Sequence, residues 1–74
     1  MDWKHIRQQY PHQWIVTEAL ETHCERGERF LDELSVIRIC KNGEKAMDEC
    51  FLLQSQAPQR EFYFFHTDRE VQGI

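Results

Sequence analysis

Near its C-terminal end the chain reads Arg60-Glu61-Phe62-Tyr63-Phe64-Phe65-His66-Thr67. Consecutive aromatics followed by His and Thr form a strong strand signal. Side chains alternate across a strand. Phe62, Phe64 and His66 therefore face one way, and Tyr63, Phe65 and Thr67 the other. Both faces are apolar, so both need a cover. That requirement narrows the folds open to the rest of the chain.

The chain has 74 residues, enough for one domain. A domain near this size buries only about 60% of its unfolded surface, so it leans on a disulfide, a metal or a partner subunit for stability. The net charge is −4. Its basic residues are scattered among acids, which argues against a dedicated nucleic-acid binder with a basic stripe. No apolar run approaches the ~20 residues that cross a bilayer, so no membrane partner is expected. Met1-Asp2-Trp3-Lys4-His5 lacks the charged-then-apolar pattern of a signal peptide. The cysteines Cys24, Cys40 and Cys50 are odd in number and contain no C-x-x-C pair, so free buried thiols are expected rather than a disulfide scaffold. Together these features lead to the expectation of a cytoplasmic chain.

The predicted fold class is α+β: a single small domain over residues 1–74, with a short N-terminal helix followed by β-β-α-β. One amphipathic helix packs on a three-stranded sheet. Residues 1–10 form a docking helix capped by Asp2, with Trp3, Ile6 and Tyr10 on one side and Pro11 ending it. Residues 13–40 form a β-hairpin that opens on the strand formers Trp14 to Thr17. Its turn is Glu25-Arg26-Gly27-Glu28, where Gly27 supplies positive φ. Its second strand ends on Ser35 to Cys40. A helix from Glu18 to Leu34 is the competing reading, because Leu20, Cys24, Gly27, Leu31 and Leu34 recur at spacings of four and three. Gly27 and the weak helix formers Thr22, His23 and Cys24 favour the hairpin. Residues 43–57 form a helix capped by Asn42, with Ala46, Met47, Cys50, Phe51 and Leu53 on one broad face and Leu52 outside it. Residues 60–67 form the aromatic strand. It lies either parallel to the second strand through a right-handed crossover or antiparallel against the first. Residues 68–74 show no clear element.

Tyr10 to Val16, Glu18-Ala19-Leu20, Leu34 to Ile37, and the run Arg60 to Thr67 followed by Asp68-Arg69-Glu70 together resemble a family of short uncharacterised bacterial proteins. The similarity spans Tyr10 to Glu70, and His66-Thr67-Asp68-Arg69-Glu70 is its most specific part. The family has no established activity, so the resemblance implies no catalytic or binding residue. The helix departs from the family pattern: Ala46 to Phe51 stands where a more basic, tyrosine-bearing stretch is expected.

Candidate chemistry is sparse. A zinc site from His23, Cys24, Cys40, Cys50 and His66 is disfavoured, because structural zinc takes its ligands as close pairs from tight turns. Adjacent His23 and Cys24 instead point to opposite faces of a strand. Cys50 lies on an apolar helix face, where a thiol behaves as a small hydrophobe. Neither a metal nor a cofactor is expected. No nucleophile elbow or phosphate-binding glycine motif is present, so no catalytic residue is nominated and enzymatic activity is left open. The acids Glu18, Glu21, Glu25, Glu28, Asp32 and Glu33 read as a solvated hairpin face with Arg26 and Arg29 as cross-strand partners. His66, with Asp68, Arg69 and Tyr63, is the candidate ligand-binding group. Trp3, Ile6, Trp14 and Leu52 are the candidate interface residues, because the second sheet face needs either the N-terminal helix or a second subunit. The expected role is a small cytoplasmic, non-enzymatic protein-interaction or accessory module acting as a homodimer and binding another protein. The alternative is a small-ligand binder or minimal enzyme with its pocket near His66.

Overall fold

A computed structural model describes residues 1–70; Val71 to Ile74, at the end of the tail, lie outside the described residues. The elements are α1 (Trp3–Gln9), β1 (Trp14–Glu25), β2 (Glu28–Cys40), α2 (Gly43–Gln56) and β3 (Phe62–His66). The sheet order is β2-β1-β3, with β1 antiparallel to both neighbours. The two alternatives for the aromatic strand are therefore both realised. β3 pairs antiparallel with β1 and, one strand removed, runs parallel to β2 through the α2 crossover.

Each helix starts where the sequence predicts. Asp2 accepts a bond from the His5 N–H at 2.9 Å, and Asn42 accepts one from the Lys45 N–H at 2.8 Å. These caps satisfy amide groups that the first helical turn leaves unpaired. Residues 18–34 are hairpin, not helix. Its turn carries positive φ at Arg26 (51°) as well as Gly27 (80°), the pattern of the tight type I′ turn.

The aromatic strand is covered on both sides by this chain's own helices. Trp3, Ile6, Ile15, Leu31, Leu34 and Phe65 form one core, joined at its edge by Tyr10 and Tyr63. Val16, Ala46, Cys50 and Phe62 form the other, with Trp14, Leu53 and Phe64 against it. α1 closes the first face and α2 the second. Trp14 packs so tightly on the start of α2 that a Cβ on Gly43 would lie 3.0 Å from its ring. On the outer edge of β2, Met1 makes a one-residue bridge. The Leu34 N–H donates to Met1 O at 2.8 Å, and the Met1 ammonium donates to Leu34 O at 2.7 Å. This bridge occupies backbone groups that an edge strand otherwise leaves open.

Two expectations are corrected. Phe51 is 62% exposed, not part of the buried face of α2. Ala46, Cys50, Leu53 and Ala57 meet the sheet, and their i, i+4, i+7, i+11 spacing draws a stripe too narrow to include it. The hairpin acids also find partners elsewhere than Arg26 and Arg29 across the hairpin. Glu18 pairs with Arg60, Asp32 with His23, and Arg29 reaches Glu61 beside β3.

Candidate functional site

The β1–β3 register determines what gathers at the end of the sheet. Trp14 pairs with His66, so continuing the register outward sets Gln13 opposite Thr67 and His12 opposite Asp68. The backbone follows that rule. The Gln13 N–H donates to Thr67 Oγ1 at 2.9 Å, and the Thr67 N–H donates to Gln13 O at 2.9 Å. Thr67 is buried, so this clamp sits at the core boundary and its flanking residues project from it. His12 has φ 52°, a left-handed conformation that histidine adopts more readily than most residues.

Three polar side chains converge there. His12 Nδ1 lies 2.7 Å from Asp68 Oδ2, and His66 Nδ1 lies 3.6 Å from the same oxygen. One ligand atom from each of His12, His66 and Asp68 falls within 4.8 Å of the other two. Among the described residues, this trio could share one cation. Trp14 meets the His66 ring edge-on at 5.2 Å and thereby limits its rotation. The Asp68 N–H donates to His66 Nδ1 at 3.1 Å, so that nitrogen carries a lone pair.

The four predicted ligand-binding residues separate into two groups. His66 and Asp68 come together as expected. Tyr63 lies on the opposite sheet face, where its hydroxyl donates to Glu61 Oε2 at 2.9 Å. Burial pushes its phenol pKa up. The Arg69 guanidinium lies over the Phe65 ring at 5.5 Å, also toward that face. His12 had no place in the sequence-based group. Its signal is positional, and the strand order has to be known before it can be read.

Of the predicted interface residues, Trp3 and Ile6 are 5% and 0% exposed inside the first core. The Trp3 indole N–H donates to Arg69 O at 2.9 Å. Trp14 packs between Phe64, His66 and Gly43. Leu52 is the member left exposed, at 52%, and Phe51 stands beside it. Both project from the outward face of α2, on a stripe with Glu44, Asp48 and Ser55.

The expectation of buried thiols is corrected at Cys24, which is exposed near the tip of the hairpin, while Cys40 is half-buried and Cys50 buried. Burial pushes the Cys40 and Cys50 thiols up, toward the inert neutral form. No helix is long and apolar enough to cross a membrane among the described residues. No protein-family model, curated protein or solved structure matches this chain.

Proposed function

We propose that the chain is a cytoplasmic, non-enzymatic protein-interaction or accessory module that acts as a homodimer, with the outward face of α2 as the contact between copies. The observation that carries this reading is the adjacent exposed pair Phe51 and Leu52 on a helix whose inward face is already fully used. Both sheet faces are closed by the chain's own helices, so neither side chain belongs to either core. Exposed apolar side chains grouped on one face mark association surfaces.

Charge favours a second copy of this chain as the occupant. A two-fold antiparallel crossing centred on Phe51 and Leu52 sets Asp48 opposite Ser55 of the other copy and carries Glu44 past the end of the other copy's α2 at Gln56. No acid then faces an acid, whereas a parallel crossing stacks Glu44 and Asp48 on themselves. Closed two-fold dimers are the commonest assembly for a single chain. The net charge of −4 leaves the rest of the surface suited to a basic partner protein. The resemblance to short bacterial proteins adds no activity to this reading.

Sedimentation equilibrium tests it. The wild-type chain sediments as a dimer at tens of micromolar, and Leu52→Glu or Phe51→Glu sediments as a monomer with unchanged circular dichroism. A monomeric wild type at that concentration, or a double variant that stays dimeric, contradicts the proposal. The alternative, a small-ligand binder or minimal enzyme working beside His66, rests on the His12–His66–Asp68 cluster.

A further inference from the structure

We infer that His12, His66 and Asp68 form a binding site for a divalent first-row transition-metal ion, with zinc as its type. The donor set is two imidazoles and one carboxylate, the hard-to-borderline combination that suits zinc, cobalt, nickel and copper rather than magnesium or calcium. The ligands come from two chain segments far apart in sequence, and the Gln13–Thr67 clamp holds those segments in register. Arg7 Nε reinforces the clamp by donating to Thr67 O at 2.8 Å.

The side chains already stand near ligating distance. Nitrogen and oxygen ligands sit about 2.0–2.1 Å from zinc in a tetrahedron, which spaces them roughly 3.3 Å apart. The His12–Asp68 approach of 2.7 Å opens slightly to reach that value, and the 3.6 Å separation of His66 Nδ1 from Asp68 closes slightly; the ion takes the Nδ1 lone pair over from the exposed Asp68 N–H, which turns to water as its acceptor. His12 and Asp68 are 82% and 60% exposed, so small rotamer changes suffice. His66 is held more firmly, at 25% exposure against Trp14, and serves as the fixed point of the site. Three protein ligands leave a fourth tetrahedral position for water or a small anion, which is the arrangement of an open site.

The other histidines differ in donor set. His5 meets Asp2 at 2.6 Å, and His23 meets Asp32 at 2.6 Å with Glu25 at 3.7 Å. Each of these groups contains a single imidazole and serves as an internal control.

Cobalt(II) and zinc(II) salts alone are the probes, used on the full chain. Cobalt titration followed by visible absorption gives a ligand-field band that saturates at one ion per chain, and zinc displaces the cobalt while magnesium does not. His12→Ala and Asp68→Asn each weaken zinc binding by about tenfold or more in calorimetry. His5→Ala, His23→Ala and Cys24→Ser leave it unchanged. His12 lies on the surface, so its variant keeps the wild-type fold by circular dichroism. Leu52→Glu binds zinc as the wild type does, which separates this site from the dimer proposal. Absence of a cobalt band overturns the inference. So does zinc affinity that survives both His12→Ala and Asp68→Asn, or that disappears with Cys24→Ser.

Discussion

Arg60 holds Glu18 ionised against the sheet. Glu18 is 9% exposed on β1, and the Arg60 Nε–H donates to its Oε2 at 2.6 Å. The guanidinium also lies over the Phe62 ring at 5.5 Å. Hydrogen bonding from Arg60 outweighs burial and holds the Glu18 carboxyl below its ordinary value of 4.5. A depressed carboxyl stabilises the fold above its unfolded pKa, and that contribution disappears as pH falls through the folded value. Arg60→Ala therefore moves the acid-unfolding midpoint to higher pH, whereas Lys4→Ala at an exposed position of α1 leaves it in place. Arg60→Lys recovers only part of the loss, because lysine lacks the two-pronged geometry. His23 works in the opposite direction. Its bond to Asp32 and the nearby Glu25 charge raise its pKa above 6.5. The resulting stability is complete below pH 6.5 and fades as pH rises through the folded value. The thiol and phenol shifts lie at higher pH. Thermal unfolding between pH 5.5 and 8 reads the His23 contribution by difference: the wild-type melting temperature declines over this range, and the decline is smaller in His23→Gln.

At the scale of elements, α1 is the most dependent part of the fold. Seven residues cannot hold a helix alone, so α1 exists because Trp3 and Ile6 are packed under the sheet. Ile6 is fully buried, and Ile6→Ala costs about 2–5 kcal/mol. For a small domain that is a large share of total stability. Urea unfolding measures the loss; a cost under about 1 kcal/mol contradicts the docking role of α1. The caps, the turn and the amphipathic stripe of α2 were readable because each is a local rule. The hairpin was harder to read, because its register shifts between Ala19 and Glu21 and again between Glu21 and Thr22. The second shift leaves Asp32 without a counterpart on β1 and brings Leu31 and Leu34 to the same core three residues apart. Bulges of this kind break strand alternation, and the resulting spacing imitates a helix. Leu20 and Cys24, which completed the imitation, are both exposed.

For the whole molecule, the demand made by the aromatic ribbon is met within a single chain. Phe65 packs against Trp3 at 5.1 Å on one side, and Phe62 joins Ala46 and Cys50 on the other. The requirement for two covers was legible from strand alternation alone. Which cover each face receives was not, because that depends on strand order, a long-range property carried by no local pattern. The same gap hid His12, which stands beside Asp68 only when β1 and β3 are neighbours. With both faces closed, the proposed dimer rests on the exposed Phe51 and Leu52 of α2, and position-specific crosslinking tests it directly. In a Cys24→Ser background, Leu52→Cys places a thiol beside the proposed two-fold axis. Mild oxidation then converts most of the chain to a covalent dimer, while cysteine placed at Lys4, on α1, gives none. Equal crosslinking from both positions, or none from position 52, contradicts a dimer built on the outward face of α2.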